Sequence, residues 1–467
     1  MKKSLTIALL SLLMSANLYA DGFTTNGDGT TWTLTKLAET QGSGVTVVAD
    51  TFLLDNTVVI AKGDRFELTP GAVVKLAKAV SFEIEGTADF AMPATKRVLF
   101  TRAAEGVVPG VVYFKDDTQV TTIKNIDFEY AGLKNFAEKG LVVDSCTFRH
   151  HAASTANGSS AVNMAGSGAE YVVRNCIFEQ NERSGIGGAS NAPVPVLLEN
   201  CQFLFNGTHN RNYPQVNLTA ATQVTIRNCV VLGDRDKQRV GGIVVSNLTG
   251  SAKDAHLLIE GCFVKDCSYG ISVYSDQTAI VRNNFLVNND VIANANQGGS
   301  GLNVTDASGT QNTKFTGNFV MGSLWGATVI GGKNINFGRV DVAEDDEDYN
   351  PGQNVFFNNG NGDKTYDFYN NSANTVYAQN NFWLTAASFA PEAIDTCITD
   401  KNDDASLGEV IYRVAGATTD PTAVSALQRV LTGIQAIYNL NGVRTNELRR
   451  GLNIVVKDGE AKKVIKL

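Results

Sequence analysis

Nine short stretches of the chain share one pattern. Aligned, "IKNIDF", "VDSCTF", "VRNCIF", "LENCQF", "IRNCVV", "IEGCFV", "VRNNFL", "FTGNFV" and "AQNNFW" place Ile126, Cys146, Cys176, Cys201, Cys229, Cys262, Asn284, Asn318 and Asn381 in a single slot. From Ile126 to Asn318 the separations are 20, 30, 25, 28, 33, 22 and 34 residues. Self-similarity at that length denotes a solenoid, because one such unit cannot bury an apolar face and must stack on its neighbours.

Each unit is built of short runs rich in Val, Ile and Phe, broken by Gly, Asn and Ser, with no helical periodicity. After the slot comes a turn marked by residues such as Asn181, Asn206 and Asn289, then a second strand: "SAVNM", "SGIGG", "GGIVVS", "YGISVY" or "SGLNV". A loop of variable length leads back to the next unit. Stacked coils of this kind make a parallel β-helix in which each strand pairs with its equivalent one coil away, at about 4.8 Å. The slot is then an inward ladder position at a bend. Asparagine there can pass amide hydrogen bonds from coil to coil, and cysteine can fill the same narrow space as a small hydrophobe. Disulfides along the ladder are disfavoured, since equivalent Cβ vectors run parallel. Cys267 and Cys397 fall outside the alignment.

The "VxIxNNxF" coil followed by "GIxV" resembles the right-handed parallel β-helix proteins of the pectate-lyase-like superfamily. The expected fold class is therefore all-β, a right-handed single-stranded parallel β-helix with a small C-terminal β-rich tail. The segment Gly44 to Leu76 resembles the opening coils of bacterial extracellular members. Asn380 to Val414 resembles their closing segment, where a short helix plugs the open end. The organisation expected is a signal peptide over 1–20, an N-terminal cap over 21–45, the β-helix over 46–390, its C-terminal cap over 391–414, a linker over 415–430 and a tail over 431–467.

The leader, "MKKSLTIALLSLLMSANLYA", has two lysines, an apolar run from Leu5 to Leu13 and small or polar residues up to Ala20, the form of a bacterial export signal. No later run approaches the roughly 18 apolar residues of a spanning helix. With 39 basic against 47 acidic residues the chain carries a net charge of -8, which argues against nucleic acid or anionic lipid as partners.

Motifs of sugar-cleaving relatives are sparse. The "NTD", "GHG" and "RIK" elements of polygalacturonase-like hydrolases are absent, and the "DD" pairs beginning at Asp116, Asp345 and Asp403 read as turns. Stacking supplies one charged constellation: Glu129, Arg149 and Glu179 take the same outward place on three adjacent coils, with His150 and His151 beside them. It could bind a sugar acid or a calcium ion, or simply be a solvated ladder of paired charges. A second outward stripe, Phe263, Phe285, Phe319 and Phe382, would suit stacking against sugar rings, or be covered by a loop. The acidic run Asp341 to Asn350 lacks the spacing of an EF-hand loop. No cofactor is identified beyond possible calcium.

After "AGATTDPTAVS" the tail "IYNLNGVRTNELRRGLNIVVKDGEAKKVIKL" carries three strand patterns around Gly442, Gly451 and Gly459. It resembles the C-terminal sorting domain of the type IX secretion system of Bacteroidetes, which would make the outer-membrane secretion machinery a partner. Asn453 stands where that family usually has tyrosine. Together these features predict an exported cell-surface or extracellular β-helix that binds or scaffolds polysaccharide or surface partners. The alternative is a polysaccharide lyase or glycoside hydrolase with an unfamiliar site.

Overall fold

A computed structural model describes residues 22–414, except 167–168, 275 and 307–311, together with the backbone of four strands within 434–466. The leader and the linker lie outside the described residues. Three long sheets of 14 strands each run the length of the stack. One coil shows the plan: Tyr171–Arg174 lies in sheet 1, Ile177–Glu179 in sheet 2 and Ile186–Gly188 in sheet 3. Apart from Val45–Val48, which opens sheet 2 antiparallel to Thr51–Leu54, the strands pair in parallel with their equivalents on the coils before and after, as Phe148, Phe178 and Phe203 do across sheet 2. The chain is a parallel β-helix, as the repeat predicts.

The bend from sheet 1 to sheet 2 explains the slot. The residue before it is left-handed on every coil from Asn125 to Asn380, with φ of 55° at Asn125, Asn175 and Asn380 and 57° at Ser145, and with Gly261 and Gly317 serving on two coils. Asparagine and glycine tolerate this conformation, which most L-residues avoid. The turn aims the next side chain inward, so Cys146, Cys176, Cys201, Cys229 and Cys262 are buried. All seven cysteines are free thiols. Burial pushes the Cys146 and Cys201 thiols well above their ordinary range, and Cys201 Sγ donates to the Glu199 carbonyl at 3.3 Å.

On later coils asparagine takes over. The Asn284 amide donates to Asn318 Oδ1, Asn318 to Asn354 Oδ1 and Asn354 to Asn381 Oδ1, each at 2.9 Å. Asn354 is a rung absent from the sequence alignment. Two residues further on, Phe128, Phe148, Phe178 and Phe203 form a nearly parallel ring stack with centroids 4.6 to 5.0 Å apart. All four are fully buried, which stabilises the fold by about 2 to 3 kcal/mol each.

A second inward column follows the corner from sheet 2 to sheet 3. Asn181, Asn206 and Asn289, read as turn residues, are buried rungs; the left-handed residues are their predecessors Gln180, Phe205 and Asn288. Cys267 belongs to this column and its backbone N–H is held by Asn289 Oδ1 at 3.1 Å.

The ends are closed. At the start, the helix Leu34–Glu39 buries Leu34 and Leu37, and the buried Asp64 carboxylate accepts the N–H groups of Gly27, Gly29 and Thr30 and the Trp32 indole. The stack begins before residue 46: Phe23–Thr24 already pairs in sheet 3 and Thr31–Thr33 in sheet 1. It also runs past 390. The closing helix Pro391–Asp395 sits in a corner, and Ile398–Thr399 and Val410–Ile411 add the last strands of sheets 3 and 1. Cys397 is buried beneath that helix. The tail forms a four-stranded antiparallel sheet of Ile434–Tyr438, Arg444–Thr445, Gly451–Lys457 and Glu460–Lys466.

Candidate functional site

Outward side chains decide what a solenoid can bind, and the three faces differ. On sheet 1, register aligns Lys124, Asp144, Arg174, Glu199, Arg227, Glu260 and Arg282 in one column of alternating sign. Ion pairs close at 3.2 Å for Arg174–Asp144, 2.6 Å for Arg227–Glu199 and 2.7 Å for Arg282–Glu260. In-register parallel pairing puts equivalent residues side by side, so alternation is the arrangement that avoids like-charge contacts. This face neutralises itself.

Sheet 2 carries the candidates named from sequence. Glu129, Arg149 and Glu179 are direct register neighbours. Arg149 stands between the two carboxylates, 3.8 Å from Glu129 and 3.6 Å from Glu179. His150 is the left-handed corner residue; its ring stacks on Tyr130 at 5.5 Å, and the Arg102 guanidinium covers the other ring at 3.6 Å. His151 is displaced from this group. The corner turns it inward, where it is fully buried with Nε2 2.9 Å from the Asn157 carbonyl. Burial, with the Arg183 charge nearby, lowers its pKa to about 4, so it is a neutral interior group rather than an outward ligand.

The phenylalanine stripe lies on the same face. Phe263, Phe285 and Phe319 are register neighbours, with Phe285 and Phe319 rings 5.9 Å apart, and Val355 intervenes before Phe382. All four are half-buried. They sit in a sheet surface that is apolar beyond them as well, with Val287, Met321 and Phe357 in the adjoining column.

Sheet 3 went unnoticed in the sequence and is different again. Asn163, Gly187, Asn217, Val244, Ser272, Asn303, Thr328 and Tyr369 form one outward column over eight coils. Thr219, Ser246, Tyr274, Thr305, Ile330 and Asn371 form the next. Neither column holds a charge. Ser272, Asn303 and Thr328 are 2%, 7% and 6% exposed although they point outward, so larger neighbours rise around them and the floor is recessed. At its far end Trp325 lies 4.4 Å from Tyr366 and 5.3 Å from Tyr369, with the indole N–H fixed on the Ala295 carbonyl at 2.9 Å. At the near end the face is charged: Lys115 bridges Glu83 and Glu85 at 2.8 Å each.

Among the described residues no group of three or more His, Cys, Asp or Glu side chains is placed to hold a metal ion. The acidic run 341–350 is a loop pinched at its base by Arg339 and Asn350, with Arg339 paired to Asp341 and Asp348.

A family model described as the right handed β-helix region matches residues 110–320, which gives the coil its hand: the fold is a right-handed parallel β-helix. Among solved structures, the chain is similar to the periplasmic alginate epimerase AlgG, with a TM-score of 0.45 and 10% identity over 82% of this chain and 83% of that one. A double mutant of the same enzyme gives 0.42 and 9% over the same shares. No curated protein matches the sequence. No helix among the described residues is long and apolar enough to cross a membrane.

Proposed function

We propose that this is an exported β-helix that binds a neutral polysaccharide along the outer face of sheet 3, with its C-terminal tail serving as the sorting signal. The observation that supports binding is the pair of uncharged outward columns from Asn163 to Tyr369, which end in the Trp325, Tyr366 and Tyr369 rings. The partly exposed members, Asn217, Ser246, Tyr274, Thr305 and Asn371, offer donors and acceptors at coil spacing to a chain of hydroxyls, and aromatic rings offer flat apolar surface with little conformational entropy to lose. Eight coils give a track of roughly 34 Å at that spacing.

Hydrolysis by the usual route would need two carboxyl groups flanking the bond, and these columns supply none. The test is retention on immobilised neutral and acidic polysaccharides, with product analysis of the eluate. Neutral chains should be retained without new reducing ends or unsaturated products, and Trp325→Ala should weaken retention about tenfold, or 1.4 kcal/mol. Failure of every neutral polymer to bind sinks the reading, and released products would move it to catalysis. In the native host, truncation after Val414 should leave the protein in the periplasm; a truncated chain at the surface would refute the sorting role.

A further inference from the structure

Where sheets 2 and 3 meet on the later coils, a polar cavity of about 430 Å3 opens beside the aromatic cluster. Its back wall is the corner column Asn288, Gly322 and Asn358, three left-handed residues on successive coils. Gly322 has no side chain, and the Asn288 carboxamide leans over it: a Cβ there would lie 2.4 Å from Asn288 Oδ1. The side wall is a short hairpin, Gly360–Asn361 paired with Lys364–Thr365, that projects from the stack. The hairpin leads directly into Tyr366, which places the cavity next to Trp325 and Tyr369.

The polar groups are available. The carboxamides of Asn288 and Asn358 and the Thr365 hydroxyl make no hydrogen bond among the described residues. Thr385 is committed on both sides: its Oγ1 accepts the Asn358 N–H at 2.7 Å, and its own proton is directed at the buried Asp367 carboxylate. Most of the charges are occupied: Asp290 is paired with Arg235 at 3.0 Å and Lys364 with Asp403 at 3.1 Å. That leaves amides, hydroxyls and the Asp363 carboxylate facing the space, a lining that accepts hydroxyl donors and repels an anion.

We propose that this cavity holds one neutral sugar residue, the end or a branch of the chain that lies on sheet 3. The proposal rests on the polysaccharide reading above and adds a position at which one ring is seated against the corner and the hairpin. Its volume is within the range of small-molecule sites.

Titration of the intact protein with glucose, galactose, mannose and glucuronic acid by ligand-observed NMR tests it. At least one neutral hexose should bind saturably and at least tenfold more tightly than glucuronic acid. The variant Asn288→Gly/Asn358→Gly keeps the left-handed backbone and removes both amides, so it should weaken hexose binding at least tenfold with an unchanged melting temperature. Thr365→Val, on the projecting hairpin, gives the same readout should the corner variant fail to fold. Preference for glucuronic acid, absence of saturable hexose binding, or binding indifferent to both variants overturns the proposal. If a neutral polymer is retained while no hexose binds, the cavity reading falls and the sheet 3 reading stands. If hexoses bind and no polymer is retained, the sheet 3 reading is the one that falls.

Discussion

The two corners that flank sheet 2 are built by different rules. From sheet 1 to sheet 2 the turn is one left-handed residue followed by one inward residue, repeated from Asn125–Ile126 to Asn380–Asn381. From sheet 2 to sheet 3 the same unit appears, as in Gln180–Asn181 and Asn288–Asn289, but the chain then makes loops of varied length, including 150–161, 205–215, 288–299 and 358–367. The first corner fixes the register of the coils, and the second carries variation. That difference supports the proposal of recognition on the sheet 3 side: loops can rise around a recessed floor there, and the hairpin that walls the cavity is one of them. Among the described residues from Asn125 to Asn381, one large insertion lies near the first corner, and it supports the rule. Residues 339–352 leave after a β-bulge at Gly338 and return, pinched by Arg339 and Asn350, before the Gln353–Asn354 unit begins.

The largest effect expected from this contrast is on folding. Three residues inserted between Asn228 and Cys229 split the turn unit and displace the strand Val230–Leu232 from both of its neighbours in sheet 2, so the loss should exceed about 5 kcal/mol and abolish cooperative melting. The same insertion between Arg211 and Asn212, both exposed, should cost less than about 1 kcal/mol, the ordinary tolerance of a surface loop. Equal damage at both places would break the comparison.

Next in size is a pH dependence confined to the second corner, whose inward column ends in titratable groups. His151 heads its polar part, after Ala131, with its N–H held by Asn181 Oδ1 at 2.9 Å, and Asp367 closes it, accepting the Asn359 amide at 2.8 Å. Burial holds the Asp367 carboxyl up at about 6 against the hydrogen bonds from Thr385 and Asn359. The signs oppose. Stability linked to neutral His151 is complete above pH 6.5 and is lost as pH falls through about 4. Stability linked to protonated Asp367 is complete below pH 3.8 and is lost as pH rises through about 6. Each spans about 3 kcal/mol. Between pH 4 and 6.5 Asp367→Asn should therefore become more stable with rising pH, and His151→Asn less stable. Chemical denaturation across that window checks both slopes; identical slopes in the two variants would remove the ladder's ends from the account.

The same contrast governs what could be read from the sequence. The first corner is legible because its left-handed residue and its slot are adjacent, so "NC" and "NN" pairs survive any change in loop length. Asn354 escaped because its unit reads "GQNVF" after the 339–352 insertion. Cys267 and His151 escaped because the second column is interrupted by loops, and because adjacency to Arg149 in sequence suggested a shared face when the turn at His150 reverses it. The sheet 1 ladder was within reach: the residue before the left-handed position reads Lys124, Asp144, Arg174, Glu199, Arg227, Glu260, Arg282 down the aligned motifs. The sheet 3 floor was not, since its residues are small, varied and separated from the slot by loops of unequal length.

The smallest expected effect concerns Arg149, at the edge of sheet 2 where the second corner begins. Its side chain is 42% exposed and stands 3.6 to 3.8 Å from two carboxylates that are themselves partly exposed. Exposed pairs of this length contribute little, because solvent screens them and two long side chains must be ordered to form them. Removing the guanidinium leaves Glu129 and Glu179 on either side of an alanine two coil spacings apart, about 10 Å, where their repulsion is largely screened at physiological salt. Arg149→Ala should therefore shift stability by no more than about 0.5 kcal/mol and leave retention of neutral polysaccharide unchanged. Loss of retention in a variant that melts normally would move the binding surface from sheet 3 to sheet 2, with the Arg102, Tyr130 and His150 stack as its neighbour, and would mean that the corner's charges rather than its loops decide where this β-helix binds.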